Sequence, residues 1–201
     1  GYVSADFRSH SVGHNFYPVL AAHDPSQFEV TLYSEVEQPD SMTEKLKAAA
    51  AHWRVTLGHE EDAVVEQIRA DGIDILVDLA GHTGGNRLDV FARRAAPVQV
   101  TWLGYPDTTG LETMDYRLVD AISDPPGTSD KLASETLIRL PRGFIVGVPQ
   151  LDAPPVGVPP IYRNGHATFG SFNNLAKVNR SVIALWARLL HAVPDARLLL
   201  K

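Results

Sequence analysis

No cysteine occurs in the 201 residues, which excludes disulfides and thiolate metal sites and fits a reducing, cytoplasmic setting. No apolar run approaches the roughly 18 to 20 residues of a membrane-spanning helix, and no charged-then-apolar leader is present. A basic excess is missing as well. The 18 Lys and Arg residues against 24 Asp and Glu give a formal charge of -6, with no cation cluster to neutralise a phosphate backbone, so a nucleic-acid partner is disfavoured. Internal repeats and low-complexity tracts are also absent. What is there, 44% hydrophobic and 21% charged, suffices for one substantial core or two modest ones. The chain starts at Gly1 and stops inside the strand-like "ARLLLK", and it reads as a fragment.

Strand-like and helix-like patterns alternate, as in parallel α/β units. "GYVSA" and "FEVTLY" (28–33) predict strands, with a helix over "FYPVLAAH" between them. "SMTEKLKAAAAHW" predicts a helix capped by Ser41 or Thr43, and a short strand follows near Val55 to Leu57. In "EEDAVVEQIRADG" Val64, Val65 and Ile68 share one face and Gly72 ends the helix. "IDILVDLA" is a buried strand, "GHTGGNR" a loop into a short helix around Leu88 to Arg93, and "VQVTWLG", "DYRLVD" and "LIRLP" are further strands. Residues 147–160 hold five prolines without a helical period, which predicts a linker or an extended crossing segment. A fresh unit follows: strand "ATFGSFN", loop "NLAKVN", and a helix striped by Val182, Ile183, Trp186, Leu189, Leu190 and Val193. The division is therefore a lobe over 1–146, a Pro-rich linker over 147–165, and the truncated start of a second lobe over 166–201.

In open α/β sheets ligands sit at the carboxyl ends of strands, where three loops of this chain fall. Asp6 and His10 follow the first strand. A carboxylate there can orient an imidazole as a base or hydrogen-bond partner, though the pair also reads as a turn Asp and a solvated His. His10 and His14 have i,i+4 metal spacing but no adjacent Glu and no third ligand, so no metal site is expected. "GHTGGNR" resembles a phosphate-binding turn without being GxGxxG or GxxxxGK[ST]; a glycine turn before a helix reads equally well. "LGYPDTTG" (103–110) offers a Tyr and two Thr to a sugar pocket, or is an ordinary turn. Lys177 lies between a strand end and a helix N-terminus, a place that favours a pyrophosphate but also suits a surface lysine.

Together "GYVSADFRSHSVGHN", "GIDILVDLAGHTGGNR", "APVQVTWLGYPDTTG", "DYRLVD" and "FNNLAKVNRSVIALWARLLHAVPDARLLL" resemble the catalytic region of the O-linked N-acetylglucosamine (O-GlcNAc) transferases, and in particular a bacterial homologue of the nucleocytoplasmic enzyme. The resemblance implies an inverting, metal-independent glycosyltransferase of the GT-B type. Two Rossmann-like lobes would face a cleft, tetratricopeptide repeats would lie upstream, and UDP-GlcNAc would be the donor and Ser/Thr hydroxyls of proteins the acceptors, with no further cofactor. It places Asp6 and His10 beside the sugar, Leu103, Gly104, Tyr105 and Pro106 on the GlcNAc ring, and Lys177 on the diphosphate. Asn174 stands where the animal enzymes have Gln, and Ala176 where they have an aromatic residue. The alternatives are a transferase of another UDP-hexose or with an Asn acceptor, and a sugar-nucleotide or protein-binding module without turnover.

Overall fold

The computed structural model describes residues 1–147 and 154–201 and divides into two compact units, Gly1–Pro149 and Gln150–Lys201. The first is built on seven parallel strands: β1 (Tyr2–Ser4), β2 (Thr31–Ser34), β3 (His52–Val55), β4 (Ile75–Asp78), β5 (Val98–Thr101), β6 (Tyr116–Val119) and β7 (Thr136–Arg139). They lie in the order β3-β2-β1-β4-β5-β6-β7, the Rossmann-like α/β arrangement that was expected. The direction of winding reverses between β1 and β4, which opens a crevice beyond their carboxyl ends.

Alternation along the strands feeds two cores. Leu32 and Val77 face a cluster with Val12, Phe16, Leu20 and Leu46, whereas Tyr33 and Leu76 face one with Val64, Val65, Ile68 and Phe91. The first cluster is covered by α1 (Ser11–Ala21) and α2 (Ser41–Ala49), the second by α3 (Glu61–Ala70) and α4 (Leu88–Ala92). Helix α1 buries Val12, Phe16 and Leu20 at successive i+4 positions, each such side chain contributing about 1.5–3 kcal/mol.

Several boundaries differ from expectation. Helix α1 starts at Ser11, five residues before Phe16, because His10 serves as its N-cap. Helix α2 is capped by Asp40, whose carboxylate accepts the Met42 and Thr43 N–H groups while Thr43 Oγ1 accepts the Asp40 N–H. Thr43 is thus the reciprocal partner in a capping box. That helix also ends earlier, at Ala49, so that His52 to Val55 can pair with β2.

The second unit holds α5 (Pro160–Asn164), β8 (Thr168–Ser171), α6 (Arg180–Ala192) and β9 (Arg197–Leu200), with β8 and β9 parallel. The stretch 160–164, assigned to the Pro-rich linker from the sequence, is helical, its Pro160 at the first turn and Gly165 closing it with φ 72°. The rest of the Pro-rich segment, 148–153, lies outside the described residues. Along α6, Val182, Trp186, Leu189 and Leu190 are half-buried, and Ile183 of the expected stripe is exposed.

Candidate functional site

The loop leaving β1 is folded back on itself. Ser4 Oγ accepts the Asp6 N–H at 2.9 Å, and Asp6 Oδ1 accepts from Arg8 at 3.1 Å. His10 donates its backbone N–H to Arg8 O at 2.7 Å, and its Nδ1 lies 3.4 Å from Asp6 Oδ2. Asp6 is nearly buried, while the His10 side chain is 38% exposed and open to a ligand. Two residues outside the motif hold the loop. Asp40 Oδ2 accepts the Ser9 N–H at 2.7 Å, a bond that heads the causes keeping this carboxyl below the usual carboxylate range. Gly13 allows α1 to pack under the loop: a Cβ there would stand 2.3 Å from Arg8 O and 2.9 Å from Asp6 O. His14 has a different partner from His10, its Nε2 lying 3.3 Å from Ser9 Oγ. Among the described residues no three His, Asp or Glu side chains gather to hold a metal ion.

Beyond β4, the start of "GHTGGNR" is organised by a carboxyl group of the protein's own. Asp78, fully buried, accepts the Ala80 and Gly81 N–H groups at 3.0 and 2.8 Å and the Thr101 hydroxyl at 2.7 Å. Burial pushes its carboxyl up, against the opposing pull of these three donors. The Ala80 and Gly81 N–H groups are thereby occupied at the entry to the turn, and the helix behind it, α4, is five residues long. Arg87 closes the loop, donating to Glu35 Oε2 at 2.9 Å, Thr56 O at 3.0 Å and Glu61 Oε1 at 3.2 Å. This binds the loop to the carboxyl ends of β2 and β3.

The loop leaving β5 carries Leu103, Gly104, Tyr105 and Pro106. Leu103 adopts φ 73°, unfavourable for a side chain that branches at Cγ, and Gly104 N donates to Trp102 O at 2.9 Å across it. This is a γ-turn of the strained hand. Gly104 lies against the chain leaving β4, where a Cβ would meet Leu79 O at 1.9 Å. Pro106 O accepts from Arg117 at 2.9 Å. Glu135 accepts from Thr108 Oγ1 and Thr109 N, each at 2.7 Å, and from Thr109 Oγ1. Burial would raise that carboxyl, but these donors outweigh it and hold it below its ordinary range. His82 spans the two loops, 2.9 Å from Thr109 O and edge-on to Tyr105 at 5.3 Å.

Asp6, His10 and Leu103–Pro106 thus sit on the loops leaving β1 and β5, on either side of the β4 exit. The β1 and β4 loops touch where a Cβ on Gly85 would lie 2.8 Å from Ala5. In the second unit Lys177 is exposed and ends a single helical turn, Leu175–Lys177, two residues ahead of Asn179, the N-cap of α6. Asn174 caps that turn, its Oδ1 accepting the Ala176 N–H at 2.9 Å, which leaves its amide NH2 and one oxygen lone pair for a ligand. Sequence reasoning missed Gly13, Asp40, Asp78, Arg87, Arg117 and Glu135. Asp78 left a trace as a carboxylate closing an apolar strand, and Asp40 as one of several possible caps before α2; the other four act through residues distant in sequence or through backbone contact.

A cavity of about 550 Å³ opens at the opposite, amino-terminal end of the strands, lined by Tyr2, His23, Glu29, His52 and Ile75 among others. Its position sets it apart from the crevice where α/β sheets bind ligands.

Residues 1–151 match the family model described as Glycosyl transferase family 41. A Solanum lycopersicum protein named probable UDP-N-acetylglucosamine--peptide N-acetylglucosaminyltransferase SPINDLY is 47% identical over 100% of this chain and 22% of its own length. The Caenorhabditis elegans UDP-N-acetylglucosamine--peptide N-acetylglucosaminyltransferase is 37% identical over 73% of this chain and 13% of its own. Among solved structures, a mutant of the Thermobaculum terrenum O-GlcNAc transferase matches with a TM-score of 0.93 and 44% identity, over 100% of this chain and 38% of that one. The chain thus spans well under half of each of these relatives.

Proposed function

The chain belongs to glycosyl transferase family 41, and on that premise we propose that the complete protein transfers GlcNAc from UDP-GlcNAc to Ser or Thr hydroxyls of proteins. The observation that carries this reading is the 47% identity, along the whole chain, to a protein named for UDP-GlcNAc and peptide. The loops bearing Asp6, His10 and Leu103–Pro106 flank the switch-point crevice, which is consistent with it. Transfer is metal-independent and inverting in this proposal. The acceptor oxygen attacks the anomeric carbon from the face opposite UDP, the bond from that carbon to the β-phosphate oxygen breaks, and UDP leaves with the electron pair. Charge developing on UDP is met by cations and backbone N–H groups, of which the Lys177 ammonium is one. The acceptor's proton goes to His10, to water, or to a phosphate oxygen of the donor. Tetratricopeptide repeats upstream and a cytoplasmic location complete the proposal; among the described residues no helix is long and apolar enough to cross a membrane.

The test is transfer by the complete protein to a Ser/Thr peptide, with UDP-GlcNAc and UDP-glucose compared as donors. GlcNAc transfer is expected, and turnover of neither donor would remove the reading. In Lys177→Ala, transfer should vanish and UDP affinity, followed by calorimetry, should fall on the order of tenfold, the worth of one charge-assisted hydrogen bond. Unchanged UDP affinity would take the diphosphate role away from this lysine.

A further inference from the structure

We propose that Glu135, the residue before β7, is a positioning residue that holds the β5 loop in the shape Leu103–Pro106 present to the donor sugar, a proposal that rests on the transferase reading above. Glu135 is 4% exposed and lies 26 residues beyond Thr109. Both threonine hydroxyls of "LGYPDTTG" go to it. Thr108 Oγ1 donates to Oε2 at 2.7 Å, and Oε1 accepts both Thr109 Oγ1 and, at 2.7 Å, the Thr109 N–H. The hydroxyl protons are thus spent inside the protein, not on a sugar. No cation pairs with Glu135 among the described residues, so its removal from water is offset chiefly by these donors. Hydrogen bonds to an ionised carboxylate are about twice as strong as neutral ones, and here all three start from residues 108 and 109.

What they restrain is a strained turn. Leu103 sits at φ 73°, a conformation that persists only where the surroundings fix it. Before the turn, Trp102 N donates to Asp78 O at 2.9 Å. After it, Pro106 O accepts from the buried Arg117, whose guanidinium is fixed in turn by Asp124. Pro106 has no N–H to offer, so Glu135 supplies the next anchor, two residues on. Thr108 Oγ1 also accepts the Gly110 and Ser134 N–H groups, each at 3.1 Å, which closes the loop onto the entry to β7. Strand β7 does not depend on the Glu135 side chain: Thr136 N donates to Asp115 O at 2.9 Å, and the strand pairs with β6 from Thr136 to Arg139. The carboxylate therefore acts on the loop.

Three variants of the complete protein test the proposal. Glu135→Gln exchanges one accepting oxygen for an NH2 that faces another donor. Its kcat/KM for UDP-GlcNAc should fall on the order of a hundredfold, as a 1 Å misplacement does, while UDP affinity by calorimetry keeps the wild-type value, because UDP carries no sugar. Thr108→Val, at a half-buried loop position, removes one donor and should lose on the order of tenfold; Thr108→Ser, which keeps the hydroxyl, should regain it. Wild-type kcat/KM in Glu135→Gln, equal rates in Thr108→Val and Thr108→Ser, or a loss of UDP affinity matching the loss of turnover would overturn the proposal. Should Glu135→Gln fail to fold, the Thr108 pair still decides. Amide hydrogen exchange gives a reading that needs no turnover: exchange at Leu103, Gly104 and Tyr105 should quicken in Glu135→Gln, and wild-type rates there would overturn the proposal as well. If the wild-type protein transfers no sugar, the proposed function fails, while exchange still decides whether Glu135 holds the loop.

Discussion

At the scale of single residues, the crevice is shaped by side chains whose work is to make other groups stay put. Asp78 accepts two backbone N–H groups and so fixes the start of the β4 loop. Asp40 joins the start of α2 to the loop that carries His10. Gly104 belongs with them, since its missing side chain is what lets the β5 loop lie against Leu79 O, 1.9 Å from where a Cβ would be. A backbone carbonyl cannot swing aside as a flexible side chain can. Gly104→Ala should therefore fold but displace Leu103 and Tyr105, lowering kcat/KM on the order of a hundredfold, as a 1 Å misplacement does. Donor-transfer kinetics beside a melting curve check it, and wild-type kcat/KM would mean that the loop has slack.

At the scale of elements, α1 connects core and site. Phe16 is fully buried, with the rings of Tyr2, Phe7 and Trp102 at 4.6, 5.7 and 6.5 Å, and Phe7 lies in the loop between Asp6 and His10. Phe16→Ala should cost about 3–5 kcal/mol, read by denaturant unfolding, and a loss under 1 kcal/mol would show that the cluster repacks. Asp40→Ala should lower the melting temperature through the lost cap and also reduce transfer, because Ser9 is released with it. A drop in stability at full activity would separate the two roles. Element type was legible where the signal is local: the Val64, Val65, Ile68 face of α3 follows from 3.6-residue periodicity alone. Cap assignment failed at α2 because Ser41, Thr43 and Asp40 are all acceptable caps, and which one turns inward depends on the Ser9 N–H it also receives.

At the scale of the whole molecule, acid stability rests on aspartates that the fold supplies with donors. Asp130 is held at about 2, first by its hydrogen bonds from Arg139 and then by the Gly127 N–H, against an ordinary value of 3.8. A carboxyl lowered in the folded state stabilises it above the unfolded value, and that contribution disappears as pH falls through the folded one. Stability should therefore decline below about pH 4. In a carboxyl NMR titration the Asp130 midpoint should lie near 2, and in Arg139→Leu it should return toward 3.8; no movement would give the shift another source. Asp24, Asp40, Asp71 and Asp120 are lowered in the same direction, so the decline is shared.

The sequence by itself determined the alternation of strands and helices, the apolar faces, and the motif that carries Asp6 and His10, because these depend on neighbours within a turn or a pleat. It also carried the resemblance that named the reaction. Strand order, and with it the switch point that brings the β1, β4 and β5 loops side by side, was decided only by tertiary structure. Parallel strands pair across connections of about a dozen residues or more with no local mark of which neighbour they choose.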